Sequence, residues 1–505
     1  MGLQALFSGS EEAPTVPGLG LVPETLKKFS PTNADGQRKS VPCIGWNDAD
    51  TAHHRSDSNS DANASATRSF YGLDSKSKYY YVHSYFAPYV PGVLEQAGWT
   101  VATATYGQES YVGAIGRGNV FATQFHPEKS GAAGLRVIKA FLDGQEWSDT
   151  PAPSSAGTTT QPASSGKHAT TNNLTHRIIA CLDVRTNDAG DLVVTKGDQY
   201  DVREKSTSDR GVRNLGKPVD MAKKYYEQGA DEVTFLNITS FRDCPVADLP
   251  MLEILRRTSE TVFVPLTIGG GIRDTVDPAT GKEVSALDVA KLYFASGADK
   301  VSIGSDAVVA AEEYWAAGGK VGGKTGIEAI SAAYGRQAVV VSVDPKRMFV
   351  KSPDDTPHTT IKTALQDPAT GNEYVWYACT VRGGRETRDL DVVQLVTACE
   401  AMGAGEILLN AIDRDGQNSG YDLELIRMVK GAVEIPVIAS SGAGRPDHFQ
   451  EVFEKTGVDA ALGAGMVSFF SLFFFLLLLP RFELLRLIRF ASTDSANFLS
   501  IVPSW

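Results

Sequence analysis

Short runs of β-branched and apolar residues alternate, from residue 175 onward, with longer stretches in which apolar positions recur at helical spacing. Several of the longer stretches, such as LDVVQLVTACEAMGAG, end in glycine, as helix C-termini often do. The short runs predict eight strands: RIIACLDV (177–184), DEVTFLNI, VFVPLTIGGG, KVSIG, AVVVSVD, EILLNAI, IPVIAS and DAALGAG. Strands alternating with helices in this number predict an α/β fold in which residues 175–466 form a (βα)8 TIM barrel.

An internal repeat divides this predicted barrel into two halves. The repeated segments are GADEVTFLNIT (229–239) and GAGEILLNAID (403–413), PLTIGGG (265–271) and PVIASSG (436–442), and GADKVSIG (297–304) and GVDAALGA (457–464). The same alignment sets Asp183, in ACLDV, against Asp344, in VSVDP. Because the pairs keep their order along the chain, the repeat predicts two four-strand half-barrels.

Composition shifts mark the other boundaries. Residues 148–174 hold eleven Ser or Thr and three Pro, which predicts a linker after a first domain at residues 1–147. Within that domain, residues 53–78 show neither a helical nor a strand period and predict a surface insertion. Residues 467–505 begin with 13 nearly all-apolar residues closed by Pro480, short of the roughly 18–20 that span a bilayer. We interpret residues 467–505 as an aberrant apolar tail, with interfacial membrane attachment as the alternative.

Composition and charge narrow the function classes. The chain of 505 residues is 42% hydrophobic and 21% charged, which is typical of a folded globular protein. Its net charge of -12 argues against nucleic acid or an anionic membrane as a partner. Five widely spaced cysteines without a CxxC pair predict neither a disulfide framework nor a metal site. The N-terminus lacks a secretory signal pattern, so we expect a cytoplasmic protein. We also expect no metal or cofactor.

Two carboxylates are the first candidates for chemistry. Asp183 and Asp344 are predicted to end strands one and five, which lie opposite each other in an eight-stranded barrel. At the mouth formed by the C-terminal strand ends, one carboxylate can donate a proton while the other accepts one. The alternative is that each aspartate only caps the loop that follows it.

Turns rich in glycine and serine follow four of the predicted strands, at the end where barrels build phosphate sites. The repeat places one such phosphate cradle on each side of the mouth, which favours a substrate with a phosphate at each end. The predicted phosphate-binding residues are Gly269, Gly270, Gly271 and Gly304 on one side, and Ser440, Ser441, Gly442, Gly444, Gly463 and Gly465 on the other.

Charged residues begin four of the predicted strands, at the opposite end of the barrel: Arg177, Glu232, Lys300 and Glu406. Two interpretations stay open for this charged ring, a salt-bridge plug that closes the base and a gate through it. In the first domain, His126 and Glu128 follow an apolar strand in NVFATQFHPEKSG (119–131). This pair can serve as a base and its orienting carboxylate, although no nucleophile accompanies it.

Together these motifs resemble imidazole glycerol phosphate synthase in its single-chain form, the glutamine amidotransferase and cyclase of histidine biosynthesis. In the barrel the resemblance rests on RIIACLDV, VVTKGD, LTIGGGIRD, ADKVSIGSDA, VVVSVDPKR, GAGEILLNAIDRDGQNSGYD and ASSGAG. In the first domain it rests on VPCIGWN, YYYVHSY and FATQFHPEKSG. The resemblance implies that the first domain is an incomplete class I glutamine amidotransferase domain of the α/β type.

The same resemblance implies a role for each candidate. Asp183 and Asp344 would be the acid and base of the cyclase, Lys196 would lie on a mobile loop over the site, and Asp415 would lie near the substrate. The substrate would be a bisphosphate that ammonia attacks, giving imidazole glycerol phosphate and an aminoimidazole carboxamide ribotide. The charged ring would be a gate through which ammonia from glutamine enters the barrel from the docked glutaminase domain.

The chain also departs from the family pattern. The family's nucleophile lies in a Gly-x-Cys-x-Gly-x-Gln elbow, but this sequence begins Met1-Gly2-Leu3-Gln4, so the elbow cysteine would precede Met1. We therefore expect no glutaminase activity from this sequence. The apolar tail replaces the family's last barrel helix, which predicts weak activity or aggregation. The alternatives are a sugar phosphate isomerase of the histidine pathway and a non-catalytic or membrane-associated relic.

Overall fold

The structure is a computed structural model that describes residues 2–51, 68–74, 76–145, 147–149, 172–186, 192–195, 217–238, 249–277 and 280–464. Lys196, Gly465, most of the predicted linker and all of the predicted tail lie outside the described residues.

Eight parallel strands close into a barrel. Consecutive strands pair with one another, and the last strand pairs in parallel with the first, where Arg177 lies opposite Ala460. The predicted (βα)8 barrel is therefore confirmed. Its strands are β1 (Arg177–Thr186), β2 (Glu232–Asn237), β3 (Leu266–Gly269), β4 (Lys300–Ile303), β5 (Val339–Val343), β6 (Glu406–Asn410), β7 (Val437–Ser440) and β8 (Ala460–Gly463).

Helices follow each of the first seven strands and cover the outside of the barrel. Capping residues in the sequence set several of their starts, because Thr325 and Asp391 each form a capping box and the Asp422 side chain accepts the amide of Leu425. The α-helices are Pro218–Glu227, Leu249–Ser259, Ala286–Ala295, Ser305–Ala316, Gly326–Tyr334, Val392–Met402, Leu423–Ala432 and Pro446–Thr456.

Side-chain alternation along the strands decides what fills the barrel. Ile179 and Cys181 of β1 share one buried interior cluster with Val340 of β5 and Leu408 of β6. Ala180, between the two β1 residues, belongs instead to the cluster beneath the outer helices. The same parity places Asp183 and Asp344 inside the barrel. The interior is therefore charged at its base, apolar in its middle and polar at its mouth.

The internal repeat reappears in the turns before the even-numbered strands. Asp231, Asp299 and Asp459 each stand immediately before a strand, at β2, β4 and β8. Each carboxylate accepts a backbone hydrogen bond from the strand that precedes it in the barrel order. The donors are the amides of Ile178, Leu266 and Val437, at 2.8, 2.8 and 2.9 Å. Three copies of one contact support two half-barrels of common design.

The structure adds strands to the barrel that the sequence did not predict, after β1, β3 and β5. Asp183 does not end β1, which continues to Thr186, because β1 also pairs in antiparallel fashion with a strand at Leu192–Thr195. After β5 the chain builds an antiparallel sheet from Pro345–Val350, Ile361–Lys362, Tyr374–Val381 and Glu386–Asp391. A two-stranded ribbon, Thr275–Val276 with Glu283–Val284, follows β3.

The first domain is a mixed α/β unit of small sheets. Its strands are Phe7–Ser10, Val22–Lys28, Cys43–Asn47, Arg68–Phe70, Tyr79–His83, Tyr85–Phe86, Thr100–Tyr106, Glu109–Arg117, Val120–Thr123 and Trp147–Asp149, and its α-helices are Gly2–Ala5, Val93–Gln96 and Gly131–Leu142. The antiparallel pair formed by Cys43–Asn47 and Tyr79–His83 packs against the barrel on one face and against the core of the first domain on the other. Trp46 and Tyr80 pack with barrel residues, whereas Cys43 packs into the core of the first domain.

The predicted surface insertion at residues 53–78 is wrong at its C-terminal end. Phe70, Tyr71 and Leu73 are buried in the core of the first domain. The strand Arg68–Phe70 pairs with Trp147–Asp149, so two residues assigned to the linker, Ser148 and Asp149, are in a strand. The polar composition of the segment hid the three buried apolar residues near its end.

Within the described ranges, which stop at residue 464, no helix combines the length and the apolar character needed to cross a membrane.

We predict that Gly405→Ala destabilises the barrel, because Gly405 occupies the turn before β6 where a Cβ would overlap the carbonyl oxygen of Arg336. Overpacking of this kind costs about 1–3 kcal/mol. A matched control is Gly431→Ala, in the helix Leu423–Ala432, where a Cβ meets nothing within 4 Å; it should be neutral or stabilise by up to about 1 kcal/mol. Urea unfolding followed by circular dichroism measures both. Equal midpoints for the two variants would contradict the steric assignment.

Candidate active site

Four charged side chains form a closed ring at the base of the barrel. Arg177 donates to Glu232 at 2.8 Å and also bonds Glu406. Lys300 completes the ring with bonds of 2.8 Å to Glu232 and 2.9 Å to Glu406. All four side chains are at most 2% exposed. The structure thus brings together the four residues that begin β1, β2, β4 and β6.

The electrostatics of the ring favour the charged forms of Arg177, Lys300 and Glu232. Burial lowers the pKa values of Arg177 and Lys300, but the adjacent Glu232 and Glu406 outweigh burial and hold both pKa values above their ordinary values. Burial likewise raises the pKa of Glu232, whereas Lys300 and Arg177 bring it below its ordinary value. Thr267 adds a hydrogen bond of 2.6 Å to Glu232. Two cations and two anions therefore compensate one another away from water.

Side chains of the first domain cover the ring from below. Burial raises the pKa of the Tyr80 hydroxyl, and the charges of Lys300 and Glu232 also act on it, so this hydroxyl lies close to the ring. Tyr80 Oη, Trp46 Nε1 and Arg177 Nε are all buried and have no hydrogen-bond partner among the described residues. Polar atoms without protein partners thus meet at the junction of the two domains.

Direct bonds hold the first domain against the barrel on the β3–β4 side. Lys129 lies 2.8 Å from the carboxylate of Asp299, the residue before β4. Two residues later, the amide of Gly131 donates to the carbonyl of Phe263 at 2.9 Å. Lys129 belongs to the same short 3-10 turn, Pro127–Lys129, as Glu128. The segment that carries the His126–Glu128 pair is therefore tied to the barrel base.

Asp344 stands directly after β5 at the mouth and has several partners. The Asn410 amide donates to its carboxylate at 2.8 Å and to the Ser342 hydroxyl at 3.0 Å. The Thr380 hydroxyl donates to its backbone carbonyl at 2.6 Å. Burial raises the pKa of Asp344, the Asn410 hydrogen bond lowers it and the charge of Asp415 raises it, with a net increase. A half-buried carboxyl with a raised pKa is suited to donating a proton.

Asp183 lies at the mouth on β1, which is diametrically opposite β5 in the strand order. It is half-buried, and its carboxylate lies 3.9 Å from the thiol of Cys181 on the same inward face. The charges of Asp183 and Asp415 both act on that thiol, so Asp415, at the end of the 3-10 turn Ile412–Arg414, lies near the same part of the mouth. Three carboxylates therefore approach the mouth from β1, β5 and the loop after β6.

The first glycine-rich cradle lies beyond β3 and β4. Gly269 ends β3, and a Cβ there would meet the side chain of Leu236 at 2.7 Å, so a larger residue would require Leu236 to shift. Gly270 and Gly271 follow with φ of 102° and 72°, a conformation that glycine readily adopts. Gly304 directly follows β4, and the 12-residue helix Ser305–Ala316 starts immediately after it. The start of this helix therefore lies at the mouth, and the free backbone N–H groups of a helix N-terminus can bind an anion.

The second cradle lies beyond β7 and β8, four strands away around the barrel. Ser440 ends β7, and Ser441 and Gly442 continue at φ of 73° and 98°. Side chains larger than hydrogen would overlap the backbone of Gly420 at Gly442 and that of Asn418 at Gly444. Gly463 ends β8. The two cradles therefore lie on opposite flanks of the mouth, with Asp183 and Asp344 on the strands between them.

His126 and Glu128 are in contact in the first domain. Their side chains are 2.9 Å apart and remain 40% and 55% exposed. Partial burial raises the pKa of Glu128, but the hydrogen bond and charge of His126 bring it below its ordinary value. The backbone amide of His126 donates to the carbonyl of Tyr80 at 2.9 Å. A single backbone hydrogen bond therefore links the His126–Glu128 pair to Tyr80, the residue whose side chain covers the charged ring.

Cysteines near these sites have the properties of core residues. Four of the five lie in the described part of the chain, and all four are buried: Cys43, Cys181, Cys379 and Cys399. Burial raises the pKa of each of these thiols. A thiol with a raised pKa is a poor nucleophile at neutral pH. Cys244 lies outside the described residues.

Sequence reasoning missed several residues of the site. Asn410 was detectable, because it lies four residues after Glu406 on the same strand and therefore shares its inward parity. The contacts of Tyr80, Trp46 and Lys129 with the barrel have no such signal in the first-domain sequence. They depend on how two separately folded domains meet.

Two family models match the chain and together define its class. The model for histidine biosynthesis proteins matches residues 177–471, and the model for class-I glutamine amidotransferases matches residues 1–143. The fold and the site thus define a two-domain protein in which a class-I glutamine amidotransferase domain precedes a (βα)8 barrel of the histidine-biosynthesis kind.

Relatives that contain both domains narrow this class to one family. The chain is 67% identical, over 92% of its length and 80% of the relative's, to the protein named imidazole glycerol phosphate synthase hisHF of Emericella nidulans. Identity is 56% to the protein of that name in Schizosaccharomyces pombe, over 92% of this chain and 81% of the relative. Identity is 52% to the Arabidopsis thaliana protein, which is named as chloroplastic, over 92% of this chain and 72% of the relative. The chain belongs to the imidazole glycerol phosphate synthase hisHF family, which confirms the resemblance inferred from its motifs.

We predict that Lys300→Met destabilises the protein by about 3–5 kcal/mol at neutral pH, because it leaves buried carboxylates without compensation. In the unsubstituted chain the pKa of Glu232 is lowered by folding, so its stabilising contribution is present at neutral pH and is lost as the pH falls. In the variant, burial without Lys300 should raise a carboxylate pKa on folding. The variant should then lose stability as the pH rises.

Urea unfolding between about pH 5 and pH 8 measures this difference. The matched control is Lys291→Met, which removes an exposed ion pair with Asp288 and should leave the unfolding midpoint almost unchanged, because water and salt screen exposed pairs. A Lys300→Met variant with a pH-independent loss would show that its carboxylates are not the cause.

Proposed function

We propose that the chain catalyses the cyclase reaction of its family. In this reaction ammonia and a phosphoribulosyl-formimino aminoimidazole carboxamide ribotide give imidazole glycerol phosphate and an aminoimidazole carboxamide ribotide. The observation that carries the proposal is the placement of Asp183 and Asp344 on opposite strands between two glycine-rich cradles. A sugar phosphate isomerase would have no use for the amidotransferase domain docked below the barrel.

Asp344 and Asp183 form the acid–base pair in this proposal. The raised pKa of Asp344 favours a protonated carboxyl that can protonate the carbonyl oxygen as ammonia attacks the ribulosyl carbon. Asp183 then accepts the proton that the attacking nitrogen loses, and the protonated oxygen leaves as water to give an imine. The imine nitrogen closes onto the formimino carbon, and the bond from that carbon to the aminoimidazole carboxamide ribotide breaks as the departing nitrogen takes up a proton. Asn410 positions Asp344 through its hydrogen bond of 2.8 Å. General acid–base assistance of this kind contributes about 10²–10⁴-fold to a rate.

The two cradles hold the terminal phosphates of the bisphosphate substrate. We assign one phosphate to Gly269, Gly270, Gly271 and Gly304, and the other to Ser440, Ser441, Gly442, Gly444, Gly463 and Gly465. Backbone N–H groups and helix N-termini suit phosphate because they bring donors close to the anion. With one phosphate on each flank, the reacting carbon lies between Asp183 and Asp344. Lys196 and Asp415 are assigned to substrate contacts, as the family resemblance implies.

Ammonia reaches this site through the barrel. Unpartnered polar atoms of Tyr80, Trp46 and Arg177 at the domain junction suit a small polar solute. Above them the charged ring is closed, so at least one of its ion pairs must open for passage. This favours a gate over a permanent plug, because a plug would leave the covering polar atoms without a role.

The domain assignment keeps the boundaries predicted from composition. We propose an amidotransferase domain at residues 1–147, a linker at 148–174, the cyclase barrel at 175–466 and an aberrant tail at 467–505. The first two linker residues, Ser148 and Asp149, extend the strand that pairs with Arg68–Phe70 of the first domain. We also propose a reducing compartment such as the cytoplasm, supported by the four unpaired cysteines among the described residues.

We predict that Asp183→Asn and Asp344→Asn each lower ammonia-dependent formation of imidazole glycerol phosphate by about 10²–10⁴-fold. The amide isosteres keep the shape of the mouth but cannot exchange the proton. Product formation at saturating ammonium measures the effect. Asp367→Asn, in an exposed turn far along the antiparallel sheet, is the matched control and should retain activity. Full activity in either mouth variant would contradict the acid–base assignment.

We predict that this polypeptide does not hydrolyse glutamine, because the described cysteines are buried thiols with raised pKa values and none contacts His126. Glutamate release from glutamine, with and without the cyclase substrate, measures this. Turnover that disappears in a His126→Ala variant would contradict the prediction and would assign a nucleophile outside the described residues.

A further inference from the structure

A second group of interdomain contacts lies at the barrel base on the β7–β8 side, opposite Lys129 and Asp299. Arg38 of the first domain donates to the carbonyls of Gly431 at 2.8 Å and Val433 at 3.0 Å. These carbonyls lie at the C-terminal end of the helix Leu423–Ala432, where unpaired C=O groups and the helix dipole favour a cation. The amide of Val41 adds a hydrogen bond of 3.1 Å to the carbonyl of Glu434.

Ser40 lies at the centre of this group and uses its hydroxyl twice. It donates to the carboxylate of Asp459 at 2.7 Å and accepts from the ammonium group of Lys430 at 2.6 Å. Lys430 also forms an ion pair with Asp459. Ser40 is only 3% exposed, whereas the Lys430 and Asp459 side chains are 23% and 21% exposed. A first-domain hydroxyl thus completes a charge pair that belongs to the barrel.

Asp459 and Asp299 are equivalent positions of the internal repeat. Each precedes a strand, accepts a backbone amide of its own half-barrel, and also receives a bond from the first domain. Each carboxylate pairs with one lysine, which comes from the first domain at Asp299 (Lys129) and from the barrel at Asp459 (Lys430). Burial raises the pKa of Asp299 despite Lys129, whereas at Asp459 the charge of Lys430 and its hydrogen bonds outweigh burial and lower the pKa. The same acceptor position is therefore used on both sides of the base through different donors.

Both positions are also adjacent to the cations of the charged ring. Asp299 directly precedes Lys300 in the chain, and the carbonyl of Asp459 accepts the amide of Arg177 at 3.2 Å. The two docking positions therefore flank the ring, with Tyr80 and Trp46 between them.

We propose that Ser40, with Arg38, Lys430 and Asp459, forms a second interdomain anchor that acts independently of Lys129–Asp299. Together the two anchors hold the first domain over the charged ring and keep the barrel base closed to bulk solvent. The closed base deepens the proposed function, on which it rests, because it confines the entry of ammonia to the domain junction. The two anchors themselves are inferred only from the interdomain hydrogen bonds and ion pairs, and not from the proposed function.

Hydrogen exchange of the full chain tests the independence of the anchors. Combined Arg38→Ala and Ser40→Ala substitutions should speed exchange of the Val41 amide by about tenfold or more, as expected when hydrogen bonds are lost, and leave the Gly131 amide unchanged within about twofold. Lys129→Ala should do the reverse. The control is Lys455→Ala, which removes an intrahelical ion pair with Glu451 on the neighbouring helix and should change neither amide. Joint acceleration of both amides by either change, or acceleration of neither, would overturn the proposal.

Ammonia-dependent turnover tests the closed base. The variant that lacks Arg38, Ser40 and Lys129 together should lower the KM for ammonium by about threefold or more, because bulk ammonia then reaches the ring directly. Its kcat should stay unchanged, since no substituted residue lies at the mouth. An unchanged KM would contradict the closed base. Hydrogen exchange needs no turnover, so an inactive parent chain would count against the proposed function and leave the anchors to be judged by exchange alone.

Discussion

The closure of eight short parallel strands is the constraint on which the rest of this molecule depends. In a closed barrel every second side chain must face the interior, so the choice of residue at alternate positions fixes the contents of each layer. Arg177, Ile179, Cys181 and Asp183 on β1 pass from a buried ion, through apolar packing, to a carboxylate at the mouth. The same order recurs on β6 with Glu406, Leu408 and Asn410, whereas β5 supplies Val340 to the apolar middle and is followed by Asp344 at the mouth.

Burial of the charged ring costs free energy, so its presence calls for a functional explanation. Removing ions from water is unfavourable, and replacing a buried ion network with apolar residues is often neutral or stabilising in proteins. Arg177, Lys300 and their two glutamate partners are nevertheless almost fully buried, with compensating charges and few remaining unpaired atoms. A purely structural closure of the base would be simpler with leucine or methionine. Under the proposed function, the ring is better explained as a gate for a small polar molecule that enters at the junction with the amidotransferase domain.

Much of this organisation was predictable from sequence because it is periodic. Strand count, the half-barrel repeat, the inward parity of Asp183 and Asp344, and the positions of the glycine-rich turns all follow from local patterns. Residues 345–391 were not predicted as a sheet, and the burial of Phe70 and Tyr71 was missed, because isolated apolar residues in polar surroundings carry no period. The interdomain contacts of Arg38, Tyr80 and Lys129 were inaccessible for another reason. They depend on the relative placement of two folded units.

The central claim is that a bisphosphate spans the mouth with its reacting carbon between Asp183 and Asp344. The most direct test is an experimental structure of the chain with a bound, unreactive bisphosphate analogue of the substrate. The account predicts one phosphate against Gly270 and Gly304 and the other against Gly442 and Gly463, with both carboxylates within hydrogen-bonding reach of the central chain of the ligand. Both phosphates on one flank, or a ligand centred away from the two carboxylates, would contradict it.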